Sequence, residues 1–205
     1  MQDVSDATEL IIKLGLAPAH VVGNSAGSSI ALKLAAQRPE IFRTLAVHDP
    51  PLFDLLSDEP SSRQIFLEMK RRIDTVKTVL ERGDAQAAVR LFVETVAFGP
   101  GTWETLPPAR KEIFVNNAMT HLEEMNDPKA LNIDIEALSK FSQPVLLSVG
   151  EKSPLLFALV VEKLTKAIPS ATMLTFPGAG HSPHISHPRE FVEIVSSFAK
   201  TSLIA

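Results

Sequence analysis

The sequence contains no cysteine among its 205 residues. This absence excludes disulfide bonds, thiolate metal sites and a cysteine nucleophile, and it is compatible with a reducing cytoplasm. The chain also lacks a dense tract of lysine and arginine, and its 20 basic and 24 acidic residues give a formal net charge of -4. We therefore expect no nucleic-acid partner.

Long hydrophobic runs are missing as well. No apolar segment approaches the roughly 20 residues that a membrane-spanning helix needs. Residues 1–9 carry three acids and no basic segment, which is unlike a secretory signal. We expect a cytoplasmic protein with no membrane partner. The remaining composition, 45% hydrophobic and 21% charged, is that of a globular protein with a core, and the length fits one domain or one domain plus a modest insertion.

Predicted strands and helices alternate along much of the chain. Short apolar segments predict buried strands at residues 20–22, 44–48, 145–149 and 172–176. Apolar residues at three- and four-residue steps predict helices at residues 3–14, 28–38, 154–168 and 188–200. This alternation favours a mainly parallel sheet flanked by helices, because parallel neighbours need a crossover connection. The predicted fold class is therefore α/β.

The stretch between the second and third predicted strands has a different character. It carries helical patterns but no strand pattern, at residues 61–81, 84–97, 108–125 and 127–140. We interpret residues 50–143 as a helical lid inserted into a core formed by residues 1–49 and 144–205. The aromatic residues of the insertion are explained by its own packing and are not taken as a site.

A Gly-x-Ser-x-Gly pentapeptide runs from Gly23 to Gly27, with Asn24 and Ala26 on either side of Ser25. It lies between a predicted strand and a predicted helix, where a sharp turn exposes a nucleophilic serine above a sheet. Glycine relieves crowding at such a turn, and the following helix directs its amides toward developing negative charge. We predict that Ser25 is a nucleophile, and a turn without chemistry is the alternative. The spacings of phosphate and dinucleotide loops are absent.

Two segments of the chain resemble the α/β-hydrolase superfamily: LGLAPAHVVGNSAGSSIALKLAAQRPE and FPGAGHSPHISHPREFVEIVSSF. The resemblance extends over essentially the whole chain and is weak in the predicted lid. It implies a reduced α/β-hydrolase fold with about four strands. It also implies that His181, on the loop after the last strand, is the base that activates Ser25, since an imidazole accepts a serine proton near neutral pH.

Two more histidines, His184 and His187, follow His181 and raise the question of a metal site. Pro183 and Pro188 disrupt a regular helical ligand face, and no carboxylate partner accompanies these histidines. We therefore expect no metal and no cofactor.

The catalytic acid is the point at which the sequence departs from the resemblance. Many relatives carry an aspartate on the loop after the strand that ends at Gly150, but Ser153 stands there. Asp49, after the earlier predicted strand, resembles the acid of other superfamily members, haloalkane dehalogenases among them. A serine at the elbow nevertheless excludes dehalogenase and epoxide-hydrolase activity, because those relatives use aspartate there.

We predict that Asp49 orients the imidazole of His181. Two alternatives stay open. Asp49 is also well suited to a turn before Pro50, and Glu151 is a second candidate acid.

The resemblance further implies segments that the chain does not contain. Relatives carry about four more strands before the first helix, and a loop that supplies one of two oxyanion-hole amides. The chain thus resembles an N-terminally truncated hydrolase, with the N–H of Ala26 as one oxyanion donor. Loss of the other donor lowers turnover by about 10²- to 10³-fold. The strand at residues 20–22 would also lack a neighbour, so we expect a homo-oligomer through this apolar edge.

The predicted function is hydrolysis of small carboxylic esters by a Ser-His-Asp acyl-enzyme mechanism. Lactone hydrolysis or acyl transfer would use the same residues. The alternative is a weakly active or non-catalytic hydrolase-like protein that acts as an interaction scaffold, and it is favoured by the missing oxyanion loop and by Ser153.

Overall fold

The computed structural model describes residues 2–127, 130 and 132–201. The chain divides into two compact units. The first, here called the core unit, consists of Met1–Leu55 and Leu131–Ala205, and the second, here called the helical unit, is Leu56–Ala130. Helices and strands are numbered below in chain order.

A four-stranded parallel sheet lies at the centre of the core unit, with its strands in the order β1, β2, β3, β4. The strands are β1 (Ala19–Asn24), β2 (Phe42–His48), β3 (Val145–Gly150) and β4 (Ala171–Phe176). Every residue of β3 is buried, as expected for an inner strand of a parallel sheet that is covered on both faces. The predicted α/β class and the parallel sheet of about four strands are confirmed.

The helices of the core unit flank this sheet. They are α1 (Gln2–Lys13), α2 (Ala26–Gln37), α8 (Ile135–Ser139), α9 (Leu155–Ala167), α10 (Pro183–Ser186) and α11 (Pro188–Thr201). Helix α2 packs on β1 and β2, whereas α9 packs on β3 and β4. The helices predicted at residues 3–14, 28–38, 154–168 and 188–200 are present with their ends within two residues, and α10 is an addition.

The helical unit contains α3 (Arg63–Glu81), α4 (Ala85–Phe92), α5 (Thr102–Thr105), α6 (Pro108–Asn116) and α7 (Ala118–Asn126). The predicted helix at residues 108–125 is interrupted at Asn117, whose side-chain amide donates to the carbonyl of Ile113 at 2.7 Å. The predicted helix at residues 84–97 ends as a π-helical turn, Val93–Ala97. Among the described residues of this unit there is no strand.

The boundaries of the two units differ from those of the predicted insertion. The helical unit is shorter than residues 50–143. Within the predicted helix at residues 127–140, positions 128, 129 and 131 lie outside the described residues, and α8 belongs to the core unit, where it packs on α2. The interpretation of the insertion as a lid stays a prediction.

Strand β1 lies at one edge of the sheet. It pairs with β2 on one side, and the described residues provide no strand on its other side. Val22 of β1 is 48% exposed. The expected homo-oligomer through residues 20–22 stays a prediction. As for membrane spans, no helix within the described ranges combines the length and the apolar character needed to cross a bilayer.

Candidate active site

Ser25 occupies a strained turn between β1 and α2. Its backbone has φ 54° and ψ -125°, a positive φ that a residue with a side chain rarely adopts. The turn is fixed on both sides, because the N–H of Ser25 donates to the carbonyl of His48 at 3.0 Å, and its own carbonyl accepts the N–H of Ser28 at 2.9 Å. This strand, strained turn and helix are the context that the sequence motif requires.

The two glycines of the motif have unequal environments. A Cβ added at Gly23 would lie 2.6 Å from the carbonyl oxygen of Gly27, so the backbone leaves no room for a side chain there. A Cβ added at Gly27 would meet no atom within 4 Å. The crowding at the elbow therefore requires glycine at position 23, whereas position 27 has space.

Ala26 is the first residue of α2 and is exposed. The first four N–H groups of a helix have no carbonyl acceptor within the helix itself. The N–H of Ala26 thus lies beside Ser25 at the positive end of the helix dipole, as expected for a donor to a developing oxyanion.

Asp49 follows the end of β2 and is completely buried. Its carboxylate has several donors: Oδ2 accepts the hydroxyl of Ser153 at 2.6 Å, and Oδ1 accepts the N–H of Gly150 at 3.3 Å. Nδ1 of His181 lies 3.0 Å from Oδ2. A buried carboxylate is costly unless it is hydrogen-bonded, and these contacts satisfy it.

His181 lies on the loop after β4, and its side chain is only 5% exposed. The ring packs against the ring of Phe157 with 4.7 Å between centroids. Since a carboxylate accepts but does not donate, Nδ1 of His181 carries the proton in its contact with Asp49, which leaves Nε2 as the basic nitrogen of the neutral ring.

The structure thus brings Asp49, and not Glu151, to the imidazole of His181. Glu151 is exposed, and its carboxylate accepts the N–H of Gly178 at 2.6 Å. The elbow is tied to the same loop through Asn24, whose side-chain Nδ2 donates to the carbonyl oxygen of His181 at 3.0 Å. The roles of these residues in catalysis stay predictions.

Comparison with known sequences decides the family. A family model described as alpha/beta hydrolase fold matches residues 4–188. The chain belongs to this family. The superfamily resemblance inferred from the sequence is therefore confirmed.

The relatives of this α/β hydrolase include named enzymes. The chain is 27% identical over 190 residues to the pimeloyl-[acyl-carrier protein] methyl ester esterase of Chromobacterium violaceum. This match covers 90% of the chain and 71% of the relative. The chain is 25% identical over 195 residues to the biotin biosynthesis bifunctional protein BioHC of Teredinibacter turnerae. That match covers 89% of the chain, which spans only a third, 33%, of the length of BioHC.

Solved structures show the same fold. The α/β hydrolase MGS-M2, from a Medee basin deep-sea metagenome library, superposes with a TM-score of 0.72 at 22% identity. The match covers 95% of the chain and 70% of MGS-M2. At this identity the likeness establishes the fold alone.

The site of this hydrolase contains a second histidine that the sequence patterns did not single out. His48, at the end of β2, is 1% exposed. Its Nδ1 lies 3.0 Å from Oγ of Ser148, while its Nε2 lies 3.3 Å from the carbonyl oxygen of Gly180 and 3.5 Å from Oδ2 of Asp49. Burial lowers the pKa of His48 below its ordinary value, an effect opposed by the charge of Asp49. Its position directly before the predicted acid is the one clue in the sequence.

The histidines beyond His181 have other partners. The ring of His184 packs edge-on against Phe191, with 5.9 Å between centroids, and Nδ1 of His187 lies 2.9 Å from Oγ of Ser186. In the part of the chain that the structure describes, no group of three or more histidine, aspartate or glutamate side chains is placed to hold a metal ion.

Proposed function

We propose that this α/β hydrolase cleaves small carboxylic esters through an acyl-enzyme formed on Ser25. The observation that carries the proposal is the 3.0 Å contact between Nδ1 of His181 and Oδ2 of Asp49, within one unit that also holds Ser25 in a strained elbow. A nucleophile, a base and a buried acid are the three groups that serine-dependent acyl transfer requires.

In the first half of the reaction, Oγ of Ser25 attacks the ester carbonyl while Nε2 of His181 accepts the hydroxyl proton. Collapse of the tetrahedral intermediate breaks the carbonyl–alkoxy bond, and His181 returns the proton to the departing alcohol. In the second half, water attacks the acyl group on Ser25 by the same route and releases the acid. Asp49 stabilises the imidazolium at each step, and the N–H of Ala26 donates to the oxyanion.

The ester assignment is supported by the relatives, because the Chromobacterium protein is named as a methyl ester esterase. The prediction of a hydrolase that acts on esters agrees with that name. The size of the acyl group and the alcohol are not implied by 27% identity. Lactone hydrolysis and acyl transfer to another alcohol would use the same three residues.

The competing proposal is a hydrolase-like interaction scaffold with weak or no activity. Its support is that Ser153 stands where many relatives carry the acid. The hydrogen bond from Ser153 to Asp49 weakens this argument, because the serine then supports the carboxylate that contacts His181. We therefore favour catalysis.

The decisive experiment measures turnover of 4-nitrophenyl acetate by the unchanged chain and by Ser25→Ala. Ser142→Ala is the matched control, since Ser142 is exposed in the loop before β3. We expect turnover to disappear only in Ser25→Ala. We also expect a fluorophosphonate to phosphonylate Oγ of Ser25 with release of fluoride, which adds the mass of the reagent less that of HF. Equal rates in all three proteins, with no label on Ser25, would leave the scaffold as the better explanation.

We further propose that the chain acts in the cytoplasm, with the helical unit as a lid, and that it associates through β1. For the last of these, sedimentation velocity at micromolar concentration is the test. We expect a species heavier than the monomer. Val22→Lys should lower the fraction of this species, because it places a charge on the exposed part of the edge strand. A single monomeric boundary would contradict the association.

A further inference from the structure

The loop that carries His181 is held at three consecutive carbonyl groups. The carbonyl of Ala179 accepts the backbone N–H of Lys152 at 2.9 Å. That of Gly180 lies 3.3 Å from Nε2 of His48, and that of His181 accepts Nδ2 of Asn24 at 3.0 Å. One of these contacts is made by the backbone, but the other two depend on the side chains of Asn24 and His48.

Asn24 and His48 come from the ends of neighbouring strands. They are directly paired in the register of β1 and β2. The amide of Asn24 also lies 3.4 Å from the carbonyl oxygen of His48, and the same oxygen accepts the N–H of Ser25 at 3.0 Å. The nucleophile elbow and the histidine loop are thus supported by the same two residues.

The chemistry of the surrounding atoms determines how both side chains are oriented. The amide of Asn24 faces two carbonyl oxygens, so its nitrogen, with two hydrogens, must be the atom that points to them. Nε2 of His48 faces the carbonyl oxygen of Gly180 and the carboxylate of Asp49, so this nitrogen carries the proton of the neutral ring. Nδ1 faces Oγ of Ser148 at 3.0 Å, and this hydroxyl also lies 3.0 Å from the carbonyl oxygen of Val47.

We propose that Asn24 and His48 are positioning residues that together place the imidazole of His181 between Ser25 and Asp49. We call this pair the loop clamp. The proposal rests on the proposed function of Ser25, His181 and Asp49, and it explains how the base is placed.

The placement matters because His181 must serve two partners at once. Its Nδ1 has to stay on Asp49 while its Nε2 reaches the nucleophile. A displacement of about 1 Å at a reacting group lowers a rate by about 100-fold. The histidine loop also packs closely against the end of β3. A Cβ added at Gly150 would lie only 2.6 Å from the carbonyl oxygen of Gly180.

The first test replaces Asn24 by aspartate, which has the same shape but no hydrogens to donate. The new oxygens would face the carbonyl oxygens of His48 and His181 and repel them. We expect kcat for 4-nitrophenyl acetate to fall about 10- to 100-fold while KM stays within about twofold, because the base and not the substrate is displaced. Asn116→Asp, an exposed position in the helical unit, is the control for the added charge and should leave both constants unchanged.

The second test compares two replacements of His48. Glutamine can present an amide N–H near the position of Nε2, whereas phenylalanine keeps a ring but has no donor. We expect His48→Phe to lower kcat as Asn24→Asp does, and His48→Gln to recover most of the loss. Equal kcat values in the glutamine and phenylalanine variants would overturn the assignment of His48.

A third measurement is independent of turnover. The proton on Nδ1 of His181 that is bound to Asp49 should give a low-field ¹H resonance, assigned by its absence in His181→Gln. We expect this resonance to shift or broaden in folded Asn24→Asp, and to be unchanged in Asn116→Asp. A wild-type spectrum and wild-type kcat in Asn24→Asp would overturn the clamp. If Ser25-dependent turnover is absent but the resonance shifts, the proposed function fails and the clamp stands.

Discussion

Oγ of Ser153 donates a hydrogen bond of 2.6 Å to Oδ2 of Asp49. The two residues follow the ends of neighbouring parallel strands, and their hydrogen bond joins positions 104 residues apart. Ser153, which follows β3, thus supplies a hydroxyl donor to Asp49, which follows β2. The predicted acid is completely buried, and this hydroxyl is one of the groups that satisfy its carboxylate.

Removal of this donor should cost stability. Ser153→Ala leaves the buried Asp49 without its shortest hydrogen bond, and a bond to a charged group contributes about 1.5 to 3 kcal/mol. We expect the free energy of unfolding to fall by about that amount in urea titrations at pH 7. Ser142→Ala, at an exposed serine, is the control and should change stability little. A midpoint for Ser153→Ala equal to that of the control would contradict the prediction.

The acid can be located by two amide substitutions. Asp49→Asn removes the charge that stabilises the imidazolium and offers an N–H where His181 needs an acceptor, so we expect kcat to fall by about 10³- to 10⁴-fold. Glu151→Gln changes an exposed carboxylate that bonds only to the N–H of Gly178 in the contacts described above, and kcat should stay within about twofold. Steady-state assays decide the matter, and a fall confined to Glu151→Gln would move the acid to that residue.

The two glycines of the elbow should respond differently to alanine. Gly23→Ala forces a Cβ to within 2.6 Å of the carbonyl oxygen of Gly27, and such overpacking costs about 1 to 3 kcal/mol of unfolding free energy. Gly27→Ala meets open space in the first turn of α2, where alanine favours the helix by up to about 1 kcal/mol. Thermal or urea unfolding of the pair measures the difference. Equal destabilisation by both substitutions would show that the turn is crowded at both positions.

Stability should also depend on pH through His48. The folded protein binds a proton at this ring less readily than the unfolded chain does, because burial lowers its pKa below the ordinary 6.5. As pH falls through 6.5, the unfolded chain therefore takes up a proton that the folded protein does not. The free energy of unfolding should fall by up to about 1.4 kcal/mol per pH unit from this group, and the loss should end below the folded pKa.

The matched variant for this pH effect is His48→Gln, which has no titrating ring. Asp49, His181 and His184 also act on the charge of His48, and they remain in the variant. Urea unfolding from pH 7.5 down to pH 5 should therefore show a smaller decline for His48→Gln than for the unchanged chain. Parallel declines in the two proteins would show that His48 does not contribute.

Much of the fold could be predicted from local patterns. The four strands and the flanking helices follow from apolar periodicity and from proline and glycine at the ends of segments, because these signals act over a few residues. The helix boundaries of the helical unit were harder to predict from the sequence. At Asn117, where the predicted helix is interrupted, the side-chain amide donates to the carbonyl of Ile113, and nothing in the apolar periodicity marks this position.

Part of the candidate site could likewise be predicted from local patterns, and part of it could not. The motif around Ser25 predicted a strained turn before a helix, and its backbone φ of 54° agrees. The sequence favoured Asp49 as the acid and kept Glu151 as an alternative, because both follow strands that end at the same edge of the sheet. The geometry places Asp49 on the imidazole and turns Glu151 to the N–H of Gly178.

The order of residues was enough to determine the parallel α/β architecture and the turn at Ser25, and the resemblance to α/β hydrolases indicated His181 as the candidate base. Only the tertiary structure showed that Ser153 donates a hydrogen bond to Asp49 and that the side chains of Asn24 and His48 contact carbonyl groups of the histidine loop. It also showed that only one glycine of the motif is crowded. These relationships join residues up to 157 positions apart. They arise because a parallel sheet gathers the carboxyl ends of all its strands at one edge, where distance along the chain no longer predicts proximity.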